Sequence, residues 1–266
     1  MKTKAVTEVW SVRRSLGMFK SRLIYDYKPF NRKRMMRFYS EFIKPGNLCF
    51  DIGAHTGNRT ATWLSMGAIV VAAEPQPAVI RLLKKKFAHN PSFTLETAAR
   101  GHKPGKARLY ISRMNPAIST LSGKWQKIMA EFEPEVAWED YADVEVQTMD
   151  DLIARYGNPV FCKIDVEGFE LEVLSGLSVP LPALSFELFP TTPLRTIDCI
   201  EKLEQSGNYE FNWSLTESFR FNSLSWLNAS EMIRTIKEYS GRKSGDVYAR
   251  LTANSVSHDH TISYPG

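Results

Sequence analysis

Alternating strand and helix signals predict an α/β fold for this chain, a mostly parallel sheet with helices on both faces. Three observations predict it. Short, almost wholly apolar runs such as NLCFDI, AIVVAA, VFCKI and ALSFEL read as strands buried on both sides. Apolar stripes at helical spacing separate those runs. The length, 266 residues, suits one large domain of this kind.

The elements follow in order. The first strand, 47–52, comes after the breaker Pro45-Gly46, and a glycine turn leads from it into a helix over 58–66. The second strand is 68–73. A helix over 77–88 carries Val79, Leu82, Leu83 and Phe87 on one stripe and opens with Pro77, where proline is pre-organised for the first turn. Residues 93–97 form the third strand, and 107–112 a further one after the Lys103-Pro104-Gly105 turn. Residues 113–142 read as irregular, and 144–148 alternates like an edge strand. A short helix at 150–156, the buried strand 160–164, a helix around 170–174 and the strand 183–188 come next. Helix 196–206, strand 209–213, helix 229–239 and strand 246–251 complete the body. In such sheets ligands sit at the carboxyl ends of the strands, so the chemistry is expected at 51–58, 74–76, 98–100, 165–168 and 187–190.

Composition narrows the class. Hydrophobic residues at 43% and charged residues at 24% exclude a disordered acidic chain. No apolar run approaches the roughly 20 residues of a membrane helix. Residues 1–17 are basic but carry neither a continuous apolar stretch nor a small-residue cleavage site, so no signal peptide is expected. Cys49, Cys162 and Cys199 are odd in number and far apart, and the first two lie in apolar runs. They suggest buried free thiols in a reducing compartment, hence a cytoplasmic protein. Without a secretion signal, the Asn-x-Ser/Thr triplets at Asn58, Asn212 and Asn228 mean nothing as glycosylation sites.

Residues 1–37 hold eleven Lys/Arg and two acids, a balance of +9 against +5 for the whole chain, so the remainder carries −4. The expected organisation is a basic N-terminal arm with a helix over 1–40, a main domain over 41–251 and a polar tail over 252–266. The arm is read first as a solvated amphipathic helix that packs on the body through Phe30, Met35, Met36, Phe38 and Tyr39. The alternative is contact with a phosphate-bearing partner or, peripherally, with an anionic membrane face.

Two strand ends carry the sharpest motifs. Asp51-Ile52-Gly53-Ala54-His55-Thr56-Gly57-Asn58 leaves a strand and opens a helix, with Gly53 for a sharp turn and Gly57 for a close approach. Glu74 ends the next strand 21 residues after Gly53, a spacing that suits a carboxylate on the two hydroxyls of a ribose. A dinucleotide fingerprint would need glycine at 55 and 58, where this chain has His55 and Asn58. A nucleoside without a pyrophosphate fits better, and S-adenosylmethionine is the common one, with Asp51 at its methionine region. The second motif, Lys163-Ile164-Asp165-Val166-Glu167-Gly168-Phe169-Glu170, also runs from a strand into a helix. Asp165 and Glu167 would project into the cleft mouth, while Glu170 reads as a charge at a helix start.

CFDIGAHTGNRTATWLSMGAIVVAAEPQP together with DDLIARYGNPVFCKIDVEGFELEVLSGL and the S-F-E-L strand resembles the FkbM family of S-adenosylmethionine-dependent methyltransferases, over about residues 35–250. The resemblance implies a Rossmann-like class I methyltransferase, a seven-stranded mostly parallel sheet whose last strand is antiparallel. It implies O-methylation of a carbohydrate, a glycolipid or a secondary metabolite. It places Asp51, Gly53 and Gly57 on the cofactor loop, Glu74 on the ribose, and Asp165 between cofactor and acceptor. Ser119-Thr120-Leu121 resembles a short segment of the family's middle insertion; a helix cap explains the same residues equally well. His55 stands where the family often has asparagine.

Methyl transfer from a sulfonium needs alignment above all. A hydroxyl acceptor also gains from a general base, worth typically ~10²–10⁴-fold. Asp165 and Glu167 are the expected catalytic residues; Glu187 and His55 are weaker candidates, and His89 and His102 read as surface residues. A divalent cation held by Asp165 and Glu187 is the less favoured variant, so no metal is assigned. Trp125, Trp138 and Tyr141 would supply acceptor surface, or else cover the core. An amino-directed DNA methyltransferase would carry [D/N]-P-P-[Y/F] where this chain has Asp165-Val166-Glu167-Gly168, and Cys162 lies too early for a cytosine C5 nucleophile. With a body at −4, a nucleic-acid acceptor is not expected. The rival of a different class is a non-catalytic cofactor-binding or scaffold protein on the same fold.

Overall fold

The computed structural model describes residues 29–112, 118–132 and 137–252, with side chains from Arg32 onward. Most of the basic arm and all but the first residue of the tail lie outside the described residues, as does the side chain of Phe30.

Helix α1 (Pro29–Tyr39) precedes β1 (Leu48–Ile52), α2 (Asn58–Ser65), β2 (Ile69–Ala73), α3 (Pro77–Phe87) and β3 (Phe93–Glu96). Then come β4 (Ala99–Arg100), β5 (Gly105–Ile111), α4 (Gly123–Phe132), β6 (Asp140–Gln147), α5 (Met149–Tyr156) and β7 (Phe161–Ile164). The last third holds α6 (Glu170–Ser175), β8 (Ala183–Leu188), α7 (Pro193–Glu204), β9 (Tyr209–Leu215), α8 (Ala229–Glu238) and β10 (Gly245–Leu251). The main sheet has seven strands in the order β3-β2-β1-β7-β8-β10-β9. Only β10 runs antiparallel, against both β8 and β9. The order reverses between β1 and β7, and that switch point opens the crevice where ligands bind in sheets of this kind.

Strand parity sorts the core. Phe50, Ile52, Cys162, Ile164, Leu184 and Phe186 face the larger apolar cluster with α5, α6, α7 and α8. Cys49, Phe161, Ala183 and Tyr248 face the other side, where Met35, Phe38 and Tyr39 of α1 pack with Trp63. The expected docking of the first helix is therefore met at three of its described apolar positions, while Met36 is only half-buried. All three cysteines are buried and free. Two helices open with reciprocal caps, Thr148 with Asp151 and Asn228 with Glu231, which satisfy amides the helix itself leaves unpaired.

Two expectations need correction. The segment 113–142 is not irregular throughout, because α4 spans Gly123–Phe132. Trp125, Ile128, Met129 and Phe132 recur at helical spacing, and Ser122 Oγ accepts the Trp125 N–H at 3.1 Å as a cap. The 144–148 strand is not an edge: β6 is the middle strand of a separate sheet, β4-β6-β5. Its alternation arises because Val144 and Val146 pack on Ala99, Leu109 and Ile111 while its other face meets solvent.

Candidate active site

The loop after β1 is built around one close approach. Gly53 has φ +80°, and a Cβ there would lie 1.8 Å from the carbonyl oxygen of Asp165. Only glycine lets the ends of β1 and β7 come this near. Asp51 is buried, and its Oδ2 accepts the Thr60 N–H at 3.0 Å and the Thr60 hydroxyl at 2.5 Å, which ties the strand end to the first turn of α2. Burial pushes its carboxyl up. Gly57 caps α2 at φ +72°; a Cβ there would press on Phe87 and Leu83 of α3, and the residue lines neither cavity described below.

His55 takes a left-handed conformation, φ +46°. Its backbone N–H donates to Glu74 Oε2 at 3.0 Å, and the Gln76 N–H donates to Glu74 Oε1 at 2.8 Å. Burial pushes the Glu74 carboxyl up to about 7 against the help of those two amides. Burial also lowers the His55 imidazole, whose Nε2 is buried without a partner.

The end of β7 is held from every side. Lys163 is buried in the strand, with Nζ 2.8 Å from Asp246 Oδ1 and 3.3 Å from Asp165 Oδ2. Burial opposes a charge on this ammonium, but the two carboxylates outweigh it and raise its pKa. Burial likewise pushes Asp165 up, yet Lys163 and Arg59 hold it below the ordinary carboxylate range. Glu167 and Gly168 follow in left-handed conformations, φ +54° and +81°. The Thr120 hydroxyl donates to the Glu167 carbonyl at 2.7 Å, and Arg195 Nη1 donates to the Gly168 carbonyl. Glu170 does more than charge a helix start: its Oε1 accepts the N–H groups of Val166 (3.1 Å) and Gly168 (3.2 Å). Burial pushes that carboxyl up to about 7.

Carboxylate oxygens of Asp165, Glu167 and Glu187 lie within 4.8 Å of one another. Glu187 comes from the end of β8, and its Oε2 is buried and unpartnered. Burial, then the charges of Glu167 and Asp165, raise its pKa well above the usual carboxylate value. The donor set of the less favoured cation variant is thus assembled, with Glu167 as a third member.

Two adjoining cavities open at these strand ends. The first, about 550 Å³ including space open to solvent, has apolar walls from Ile52, Ala73, Pro75, Ala98, Leu109 and Leu121, with Glu74 at its side. The second, about 620 Å³ on the same measure, is charged, lined by Asp51, Asn58, Arg59, Lys163 and Glu217 among others. Gly53, His55, Asp165 and Glu167 belong to both. A nucleoside with a charged amino-acid end fits this pair. Polar side-chain atoms lie buried without partners along both cavities: Gln76 Nε2 and Arg100 Nε in the first, Asn58 Nδ2 and Arg59 Nε in the second.

Asp51, Gly53, Glu74, Asp165 and Glu167 are therefore brought to one cleft, and Gly57 stands behind it. His89 and His102 are exposed, as expected. Trp125 is buried under Gly168 and against Phe189, so it covers the core and offers no acceptor surface; Tyr141 is exposed, with Arg108 over its ring at 4.1 Å. Sequence reasoning assigned no role to Lys163, Arg59, Arg195 or Glu217. Lys163 left a signal, a charged residue inside the buried run VFCKI. Glu217 left none, because it arrives from the distant loop after β9.

The family model for the methyltransferase FkbM domain matches residues 51–238. Fold and site define a methyltransferase whose methyl donor is S-adenosylmethionine. The chain belongs to the FkbM family. A search of curated proteins finds no match. Among solved structures it is similar to a TehB-like SAM-dependent methyltransferase from Corynebacterium glutamicum, with 10% identity and TM-score 0.48, over 91% of this chain and 99% of that one. A precorrin-6y C5,15-methyltransferase from Geobacter metallireducens gives 15% identity and TM-score 0.44, over 85% and 90%. An rRNA methylase from Streptococcus thermophilus gives 11% and 0.41, over 82% and 94%. At these identities the likeness is one of fold alone.

Proposed function

We propose that this enzyme methylates a hydroxyl of a carbohydrate, a glycolipid or a secondary metabolite, with the nucleoside of its donor in the apolar cavity and the amino-acid end in the charged one. One observation carries the reading: Asp165 and Glu167 stand on the edge shared by the two cavities, where donor and acceptor must meet. When bound, S-adenosylmethionine supplies an electrophilic methyl group on a sulfonium. The chain supplies alignment and a place for the acceptor's proton.

Glu74 accepts the ribose hydroxyls, its plane fixed by the amides of His55 and Gln76. Asp165, kept ionised beside Lys163, accepts a hydrogen bond from the acceptor hydroxyl and orients its oxygen. Glu167, on a backbone clamped by Thr120, flanks the same hydroxyl. The carboxylate cluster would take up the proton as the C–O bond forms and the methyl's C–S bond breaks, the sulfur leaving as a neutral thioether.

The strand end carries Asp165-Val166-Glu167-Gly168 and no [D/N]-P-P-[Y/F], which favours a hydroxyl over the amino group of a nucleic-acid base. Among the described residues no helix is long and apolar enough to cross a membrane. Three buried free thiols fit a reducing compartment, and we place the enzyme in the cytoplasm. A methyl-transfer screen over sugars, glycolipids, hydroxylated metabolites, amines and RNA tests the assignment. Transfer to a hydroxyl acceptor that is lost in both Asp165→Asn and Glu167→Gln is expected. Transfer confined to amines or RNA would overturn it.

A further inference from the structure

The loop after β9 serves two sites. Glu217 lines the charged cavity, while its neighbours Thr216 and Ser218 line an open groove of about 930 Å³, space open to solvent included. Among the described residues that groove is lined by two cations, Arg220 and Lys243, and by no acid, with Trp213 and Phe221 as aromatic walls. Both cations are exposed, as is Arg242 beside them in the chain. The loop is held firmly. The Phe38 ring of α1 packs 4.8 Å from that of Phe221 and 6.2 Å from that of Phe219, and Arg34 Nη2 donates to the Ser218 carbonyl at 2.5 Å. Two residues beyond Asn222, which lines the groove, Leu224 stands fully in solvent. Its exposure is built in. The Asn212 amide donates to the carbonyls of Ser223 (3.0 Å) and Ser225 (3.3 Å), on either side of it, and Ser223 Oγ accepts the Trp213 indole N–H at 3.2 Å. A lone exposed leucine is ordinary; one on a backbone clamped on both sides, next to a groove with only positive charge, marks an interaction surface.

We infer that this loop docks on a bilayer surface carrying anionic phospholipid, with a headgroup phosphate in the groove at Arg220 and Lys243 and the Leu224 side chain at the acyl boundary. An arginine takes phosphate oxygens through paired N–H groups, and a lysine adds a point charge. A leucine flanked by cations suits the boundary, where apolar burial and attraction to anionic lipid reinforce each other. The basic arm adds to the same attraction. Residues 1–37, which end within α1, hold eleven Lys/Arg against two acids, and α1 is fastened to this loop. Docking brings the cleft to the membrane, because Glu217 of the same loop lines the charged cavity. That singles out the glycolipid among the acceptors proposed above; this last step rests on the methylation reading, whereas the docking does not.

Co-sedimentation of the full chain with vesicles tests the surface. Binding to an equimolar mixture of phosphatidylcholine and phosphatidylglycerol is expected, weakening as salt screens the charges, with little binding to phosphatidylcholine alone. Each cation near an anionic surface is worth about fivefold, so Arg220→Glu combined with Lys243→Glu should weaken binding by roughly tenfold or more. Leu224→Ser, which leaves the charge unchanged, should weaken it by about tenfold. All three positions are exposed, so the variants should melt with the wild type. A wild type that ignores the mixed vesicles, or variants that bind them as tightly as the wild type, would overturn the docking surface. Calorimetry with glycerol phosphate separates the other source of the same chemistry. If the groove binds that ester, loses it in the double variant and binds no vesicle, it is a site for a free phosphate ester and the membrane proposal falls. Vesicle binding needs neither methyl donor nor acceptor, so its failure leaves the methylation reading standing, and a failed methyl-transfer screen leaves the docking standing.

Discussion

The His55 amide and the Glu74 carboxylate are joined by a 3.0 Å hydrogen bond, so the loop after β1 and the acid that ends β2 form one unit. The left-handed turn at His55 aims its N–H at Oε2, and the Gln76 N–H takes Oε1. Each oxygen keeps a lone pair for a ligand hydroxyl. The same burial that orients the carboxyl makes it hard to ionise, up to about 7.

That shift has a sign that can be measured. Between about pH 4.5 and 7 folded Glu74 holds a proton that the unfolded chain has released, so stability falls as pH rises through this window. Glu170 acts alike, and each contributes up to roughly 3 kcal/mol. His55, lowered by burial, works in the opposite direction, while the Asp51 and Glu187 carboxyls, also raised by burial, add to the fall. Thermal melts of the unliganded protein should therefore lose stability from pH 5 to pH 8, and Glu74→Gln should flatten that slope. Cofactor affinity should run the other way, rising with pH towards 8 in the wild type because the ribose needs an ionised acceptor. Affinity in Glu74→Gln should be weaker and nearly independent of pH. A wild-type melting profile indistinguishable from that of the mutant would contradict the linkage.

Gly53 and Gly57 should respond differently to alanine. At Gly53 the added Cβ meets backbone, 1.8 Å from the Asp165 carbonyl oxygen, and the φ of +80° disfavours any side chain. A loss of about 3 kcal/mol or more, with cofactor binding abolished, is expected. At Gly57 the Cβ meets the far ends of the Phe87 and Leu83 side chains at 2.7 and 2.8 Å, with no backbone atom among its nearest contacts. A loss of roughly 1–3 kcal/mol with cofactor affinity within threefold is expected. Chemical denaturation and calorimetry on the two variants settle the contrast, and equal cofactor loss in both would place Gly57 on the ligand after all.

The main sheet was legible because buried parallel strands read as nearly unbroken apolar runs, and β1, β2, β7 and β8 all do. Acids at strand ends were legible for the same reason: Asp51, Glu74, Asp165 and Glu187 each interrupt or close such a run. The three-stranded side sheet was not, since alternation in β6 has the same pattern whether a strand lies at an edge or between two partners with one face wet. Helix α4 was missed because its apolar stripe is short and its cap, Ser122, sits in a run of small polar residues. Contacts between distant segments left no local trace. Arg59 with Glu217, and Arg195 with Gly168, pair residues from separate parts of the chain.

Thr120 offers a test of positioning apart from chemistry. Its hydroxyl holds the Glu167 carbonyl at 2.7 Å and also accepts the Ser122 N–H at 3.0 Å. Thr120→Val keeps the shape and removes both bonds. Left-handed Glu167 then loses the restraint that offsets its strain, and its carboxylate is no longer fixed beside Asp165. Turnover should fall by roughly tenfold, as expected for a misplaced group, while S-adenosylhomocysteine affinity stays within twofold. Thr120→Ser, which restores the hydroxyl, should recover most of the turnover. If the serine variant is as slow as the valine variant, the hydroxyl is not what positions Glu167.

Asp165 and Glu167 separate a catalytic protein from a binding one, and the cation variant can be tested alongside. Asp165 faces Lys163, which also keeps Asp246 as a partner, so Asp165→Asn leaves the buried ammonium paired and the fold intact. The amide still orients an acceptor but no longer attracts its proton. Turnover should fall by ~10²-fold or more, with cofactor affinity changed much less. Glu167→Gln should lose turnover in the same way, since its carboxylate shares the cluster. Lys163 Nζ lies 3.3 Å from Asp165 Oδ2, so the protein itself supplies a cation at the edge of this cluster. Methyl transfer by the wild type should therefore persist in excess chelator. If chelator abolishes it and magnesium restores it, the three carboxylates are ligands first and Asp165 orients the acceptor through the ion. If both amide variants turn over at the wild-type rate, the strand end is structural and the protein's acceptor site lies elsewhere in the cleft.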